Sequence, residues 1–422
     1  MIHITTKKPR IALTISTGRI AVKRVVKSFL DNAELHGYDI EDFSVYLSID
    51  TEYNNTRASD FKLDSNLERR LRNVDYITPK SREEIGRELI SETGANPLII
   101  NSMFVGRGYS KQRNSALLRA LQDENDLAIC FDDDEAPYIP IKDKNMNIKW
   151  EALDFFTPHI KELLIGADVT RGPSTGYLSP IPSDLEEEIP EFVREKLGEL
   201  LQLGNEVVSK KSFFNLADNI IYLSDNEITN PYRPYIVKNS KYGKTILSGN
   251  MGINLDSIRK GKLPIFYNPP NARGEDAFFG LQLKDNNVVE VPSYIFHDPF
   301  LLYPNLPEGN FPEKLETIPV NRKSIDRFAD AVTGWLKYAP LFILMSSKTP
   351  GEREERISKM INDIEAPTRK MAELLDSPKL LDCRRILEDY NREVFKDYQM
   401  LRKSQETWRE KVVPYCGSLV YS

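Results

Sequence analysis

The sequence predicts an α/β protein: an open, mostly parallel central sheet with helices on both faces, followed by a helical C-terminal region. Three observations carry that expectation. Strand-like apolar runs alternate with amphipathic helical stripes from Ile11 to Phe131. Three of those runs end in small polar or acidic loops. From about Asn321 the two-residue pattern stops and only helical periodicity remains.

Ile11 to Ser16 reads as a buried strand, with Ser16-Thr17-Gly18 as its exit loop. Val22, Val25, Val26, Phe29, Leu30 and Ala33 then fall on one helical stripe, and Gly37 is placed to end it. Phe43, Val45, Leu47 and Ile49 alternate with polar residues, the period of a strand that stops at Asp50. Beyond a polar stretch, Pro97 to Ile100 reads as a short strand, and Ser110 as the cap of a helix carrying Ala116, Leu117, Ala120 and Leu121. Leu127 to Phe131 is a buried strand running straight into four acids, Asp132 to Glu135. Sheets of this kind bind ligands beyond the carboxyl ends of their strands. The loops after Ser16, at Asp50 and at Asp132 are therefore expected to meet at one edge.

The α/β unit is expected over 8–310. Residues 183–245 within it read as an insertion, acidic and helical in pattern from Ser183 to about Val208, beside the sheet. Ile246 to Asn250 and Val288 to Tyr294 read as further short strands. The region 320–422 is expected to be helical. Ile325, Phe328, Val332 and Trp335 form one stripe, and Ile357, Met360, Ile361 and Ile364 another. A third runs through Leu387, Tyr390, Val394, Tyr398 and Leu401. Stripes of this kind are first of all core; a homo-oligomer interface and a membrane-surface contact stay open.

Composition narrows the function classes. The 63 acidic residues outnumber the 57 basic ones, a formal charge of −6, which argues against nucleic acid as the partner. Cys130, Cys383 and Cys416 show no metal-ligand spacing and fit a reducing compartment better than a disulfide framework. Met1 to Arg10 lacks the apolar core of a signal peptide. The apolar piece Ala339 to Met345 is far short of the roughly 20 residues a spanning helix needs. The expected location is the cytoplasm, with peripheral membrane contact left open.

Three constellations could do chemistry. Asp132 to Glu135 concentrate negative charge at a strand end, which costs free energy unless a cation or hydrogen-bond donors offset it. Asp132 and Asp134, one residue apart, can both face a hard divalent ion, Mg²⁺ or Mn²⁺, that grips a diphosphate; the plain alternative is a solvated acidic turn. Glu275-Asp276 lies next to Ala277-Phe278-Phe279. In a partly dry site one of the pair could serve as a general base, while Glu-Asp pairs on surfaces are common. His297-Asp298 follows the apolar Tyr294-Ile295-Phe296, and a neutral imidazole there could complete the coordination of the same ion; a lone histidine is more often an ordinary core or surface residue. Arg113 and Asn114 open a helix after a Gly-rich loop and could face phosphate or a base. Ser248-Gly249-Asn250 places small residues where a ligand could approach the backbone.

Taken in order, these pieces resemble the GT-A fold glycosyltransferases, most closely the large family 2. The first strand and small-polar loop match over Ile11 to Arg19, the base-reading acid at Asp50, and the Gly-containing loop with its Arg-Asn pair over Gly108 to Leu117. The Asp-x-Asp motif matches at Asp132 to Asp134, the small-Gly-Asn strand at Ser248 to Asn250, and the later pair at Glu275-Asp276. The resemblance covers roughly residues 8 to 300. It implies a nucleotide-diphosphate sugar donor, with a UDP-sugar favoured, and a hydroxyl of a glycan or other molecule as acceptor, reached from the side of the 183–245 insertion. Asp132, Asp134 and His297 would hold Mn²⁺ or Mg²⁺. Ser16, Thr17, Asp50, Arg113, Asp132, Asp133, Gly249 and Asn250 would contact the donor. Asp276, beside Glu275, would act as base in an inverting transfer. The loop after the first strand lacks the family's common proline and tyrosine, and no Gln-x-x-Arg-Trp signature of processive members is present, which favours one transfer per encounter.

Other readings share part of this pattern. A sugar nucleotidyltransferase would carry a Gly-rich loop after its first strand, whereas Ser16 to Arg19 holds one glycine. A phosphatase with an aspartyl nucleophile would place small hydroxyl residues where Glu135-Ala136-Pro137 stands. A retaining GT-A enzyme and a catalytically silent sugar- or nucleotide-binding protein fit the residues as they are.

Overall fold

The computed structural model describes residues 8–143, 145, 147–177, 181–182, 185, 189–206, 220–247 and 249–418. The strands are β1 (Ile11–Thr17), β2 (Phe43–Ile49), β3 (Asn73–Ile77), β4 (Leu127–Cys130), β5 (Glu135–Ala136), β6 (Ile139–Lys142), β7 (Ile148–Glu151) and β8 (Val169–Arg171). They continue as β9 (Ser174–Tyr177), β10 (Ile220–Ile221), β11 (Leu223–Ser224), β12 (Tyr235–Ile236), β13 (Met251–Asn254), β14 (Val288–Glu290) and β15 (Ile295–His297). Helices of eight residues or more are α1 (Val22–Leu35), α2 (Pro79–Thr93), α3 (Pro97–Phe104), α4 (Tyr109–Gln122), α5 (Phe156–Leu164) and α6 (Glu191–Leu201). After these come α7 (Glu275–Gln282), α8 (Arg322–Ser346), α9 (Pro350–Asp363), α10 (Glu365–Leu374) and α11 (Cys383–Thr407).

The main sheet runs β12-β14-β8-β13-β4-β1-β2-β3. Four of its pairings are parallel, and β13 runs against both neighbours. Two apolar layers cover it. The pleat sends Ile11, Leu13 and Ile15 to one face, with Phe29, Phe131 and Phe155, and Ala12 to the other, with Phe104, Leu118 and Phe279. Chain order reverses direction between β1 and β4, so a crevice opens there at the carboxyl ends of both strands. Two smaller sheets, β10-β9-β15-β5 and β11-β6-β7, extend beside that edge.

The C-terminal region is helical, as its stripes require: Phe328, Val332, Ile357, Met360, Ile364 and Leu387 are all buried in one cluster. That cluster also takes Val193, Leu197 and Leu200 of α6, so this helix of the 183–245 segment packs on the C-terminal helices. Residues 183–184, 186–188 and 207–219 of that segment lie outside the described residues. Past the end of α11, Trp408 joins the core of the sheet's α4 face near Phe104. No helix among the described residues is long and apolar enough to cross a membrane.

Several local expectations are corrected. Pro97 to Ile100 opens α3 and is not a strand: Asn96 accepts the Leu98 N–H and Pro97 occupies the first turn, a cap the apolar run concealed. The helix after Gly108 starts at Tyr109 with no side-chain cap, and Ser110 lies inside it. Ile246 to Asn250 precedes a strand; β13 itself begins at Met251. The stretch between Asp50 and Asn96, read only as polar, holds β3 and α2, and β3 (NVDYI) shows too little apolar character to stand out. Gly37 lies just past α1 in the left-handed region, with φ +86°, as its position required.

Candidate active site

The loop after β1, Asp50 after β2, the acids after β4 and the first turn of α7 border one cavity of about 1080 Å³. Asp50 is tied to the first strand's exit by its N–H, which donates to the Thr17 carbonyl at 2.7 Å. His297, at the end of β15, reaches the same space. The loops expected to meet at the sheet edge do so.

Within the acidic turn each carboxylate has its own partner. Asp133 accepts from Thr17 Oγ1 at 2.6 Å and from Arg19 Nη1 at 2.7 Å. The same Arg19 nitrogen donates to Asp134 Oδ2 at 2.8 Å, so one guanidinium bridges two adjacent acids. Burial pushes Asp133 up to about 6 against the pull of Arg19. Burial would raise Asp134 as well, but His297 and Arg19 outweigh it and hold that carboxyl below its usual range. Asp132 turns the other way, accepting from Arg113 Nη2 at 2.9 Å. Its N–H donates to Glu135 Oε2 at 2.7 Å, and burial followed by the Asp132 charge raises the Glu135 carboxyl well above normal. Glu135 in turn explains Gly249, where a Cβ would lie 1.9 Å from Glu135 Oε1.

On the far wall Arg113 is buried among acids. Besides Asp132 it has Glu275 Oε1 at 3.7 Å from its Nε, and although burial disfavours its charge, Asp132, Asp276 and Glu275 more than restore it. Burial and then the Asp276 charge push Glu275 up to about 7. Glu206, accepting from the Tyr338 hydroxyl at 3.1 Å, is also raised to about 7, chiefly by burial. The Glu275 shift fixes a sign. Its folded-state value lies above the ordinary 4.5, so its contribution to stability is complete below about 4.5 and is lost as pH rises through about 7. Glu275→Gln, neutral throughout, is expected to be more stable than wild type by roughly 3 kcal/mol at pH 8 and nearly equal to it at pH 4.5. Denaturant titrations at the two pH values check this, and an unchanged difference between them would count against it.

Of the residues singled out in the sequence, Ser16, Asp50, Arg113, Asp132, Asp133, Asp134, Glu275, Asp276 and His297 border the cavity, and Thr17 stands behind it on Asp133. Asn250 does not reach it. Its carboxamide accepts from His159 Nε2 at 2.8 Å and donates to the carbonyls of Pro173 and Ser293, so it ties the entry of β13 to α5 and to the loops after β8 and before β15. Gly249 packs against Glu135 and does not border the cavity; Ser248 is outside the described residues. Asp134 and His297 come together, with His297 Nε2 3.8 Å from Asp134 Oδ1, whereas Asp132 faces Arg113. Among the described residues no three His, Cys, Asp or Glu side chains are grouped closely enough to share a metal ion.

Sequence reasoning missed an entire wall. One face of α8 lines the cavity with Lys323, Arg327, Trp335 and Tyr338, and Tyr53, Tyr109 and Arg273 border it from loops and the start of α4. The apolar stripe of α8 was legible, but its charged face looked like any solvated one.

No protein-family model matches the chain, and no curated protein matches its sequence. Among solved structures it is similar to the mannosyltransferase PcManGT from Pyrobaculum calidifontis in complex with GDP-Man and Mn²⁺, at 12% identity and a TM-score of 0.41 over 95% of this chain and 87% of that one. It is also similar to S. aureus TarS (1–349), at 14% identity and a TM-score of 0.37 over 92% and 91% of the two chains.

Proposed function

We propose that this chain is a glycosyltransferase of the GT-A type, moving a sugar from a nucleotide-diphosphate sugar, a UDP-sugar by preference, onto a hydroxyl of a glycan or other acceptor. The observation that carries the reading is convergence: Asp50, Asp134, Asp276 and His297, far apart in the chain, border one cavity at the crevice between β1 and β4.

The residues fit a divalent ion through two of the three expected ligands. His297 Nδ1 lies against the Tyr177 carbonyl, an acceptor only, so the ring proton belongs on Nδ1 and the Nε2 lone pair faces Asp134. Asp134 and His297 would hold Mn²⁺ or Mg²⁺, which commonly keeps water and substrate phosphate in its remaining positions; Asp132 would join only by leaving Arg113. Such an ion supplies charge stabilisation for the departing diphosphate.

The protein's own groups do the rest. Asp50 and the loop after β1 receive the nucleoside, and Arg19 keeps the acidic turn neutral enough to accept a polyanion. Asp276 takes the proton of the acceptor hydroxyl as its oxygen bonds to the anomeric carbon; the bond from that carbon to the diphosphate breaks, and the electron pair leaves with the nucleoside diphosphate. Attack from the face opposite the leaving group inverts the centre, and one sugar is transferred per encounter.

A thermal-shift screen of nucleoside diphosphates with and without Mn²⁺ tests the reading. At a ligand concentration of about 100 Kd the folded state should gain about 2.7 kcal/mol, with the largest shift for UDP plus Mn²⁺. Asp134→Ala should remove the Mn²⁺-dependent part of the shift. If no nucleoside diphosphate shifts the melting temperature with or without the ion, the donor assignment fails.

A further inference from the structure

We propose that the C-terminal helices complete the phosphate subsite: Arg327 of α8 and Arg273 of the loop before α7 bind the diphosphate of the donor directly, in the absence of metal. This rests on the reading of the cavity as a sugar-nucleotide site, and goes beyond it by assigning the cationic half of that site to a region outside the sheet.

The cavity holds unspent donors. A guanidinium carries five N–H groups in a planar fork that matches phosphate oxygens in pairs. Arg327 lines the cavity and makes no hydrogen bond to any described residue; its nearest carboxylate oxygen is Asp134 Oδ2, 4.0 Å from Nη2. Its side chain is nevertheless held in place, with the guanidinium 5.1 Å from the Phe300 ring centroid, and is only 31% exposed. Arg273 borders the same cavity, likewise with no ion pair or hydrogen bond to a described residue. Its stem lies along α8, where a Cβ at Gly334 would be 3.5 Å from Arg273 Cδ.

The charges around Asp134 point the same way. Asp134 already serves Arg19 at 2.8 Å, so Arg327, at 4.0 Å, is the second guanidinium at one carboxylate. Lys323, one helical turn before Arg327 on the cavity face of α8, adds another cation without a described ion-pair partner. A second kind of observation also indicates a ligand. Ser16 Oγ, at the end of β1 on the cavity wall, is buried without a hydrogen-bond partner, although buried hydroxyls are normally satisfied. Separate guanidinium forks on two elements, with a free hydroxyl on the same cavity, suit a group carrying two phosphoryl units better than a single carboxylate.

Calorimetric titration of the full chain with sodium pyrophosphate in EDTA is the test, with orthophosphate and acetate as comparison anions. Wild type should bind pyrophosphate more tightly than either. Arg327→Gln and Arg273→Gln should each weaken it about tenfold or more, and Arg327→Lys should recover part of the loss. Arg385→Gln, an exposed position on α11 paired only with Asp382, should change nothing. Arg273 has no ion pair to lose and Arg327 only the 4.0 Å approach to Asp134 and its contact with the Phe300 ring, so both variants should stay folded, with melting temperatures close to that of wild type. The proposal is overturned if pyrophosphate binds only with Mn²⁺ present, or if both glutamine variants bind it as wild type does. Arginine-dependent pyrophosphate binding without any nucleoside diphosphate binding would leave this site standing and remove the donor reading; nucleotide-sugar turnover with unaltered pyrophosphate binding in the variants would do the reverse.

Discussion

Arg113→Met is expected to destabilise the protein by about 3–5 kcal/mol at pH 8, the cost of leaving buried carboxylates without their cation. The methionine fills much of the volume, so the loss is electrostatic. Asp132, Glu275 and Asp276 all lean on this guanidinium. Without it the Glu275 carboxyl, already raised, is pushed up further, the folded protein binds more protons than the unfolded chain, and stability falls as pH rises. The deficit should therefore shrink at pH 5, where Glu275 can take up its proton. Chemical denaturation of the variant and wild type at both pH values measures it. Equal stability at pH 8 would mean that the charges around Arg113 are compensated by something other than Arg113.

That cluster also shows where sequence reading succeeds and where it stops. β1, α1, β2 and β4 were legible because their apolar residues follow a single period, set by one buried face or by burial on both. From them the meeting of the loops at Ser16, Asp50 and Asp132 followed by topology alone. The partner of each acid did not. Asp132 and Asp134 are one residue apart, yet one turns to Arg113 on α4 and the other to Arg19 after β1, and that division depends on a three-dimensional turn that spacing does not encode. Asn250 was singled out for the right neighbourhood, but its hydrogen-bonding capacity is spent on His159, Pro173 and Ser293, partners 77 to 91 positions earlier and 43 later in the chain. The α8 wall was illegible for a different reason: a lysine and an arginine four residues apart look the same facing a cavity as facing water.

The sharpest division of labour lies between Glu275 and Asp276. Gly274, with φ +99°, starts α7 where a Cβ would lie 2.8 Å from the Tyr338 ring, so glycine is required both by the turn and by the packing of α8 behind it. This places Asp276 in the first helical turn, close enough to Arg113 for the two charges to interact. Glu275, raised to about 7 by burial and by that same ionised neighbour, is the member that holds a proton near neutrality. An ionised carboxylate can accept the acceptor's proton and a protonated one cannot, which is why the proposed transfer gives the part of base to Asp276. Asp276→Asn keeps size and polarity and removes only the basic oxygen; sugar transfer should fall about 10²–10⁴-fold, with donor affinity nearly unchanged. Any residual activity that uses Glu275 in its place should vanish in the double variant with Glu275→Gln. Full transfer in Asp276→Asn together with none in Glu275→Gln would exchange the two roles.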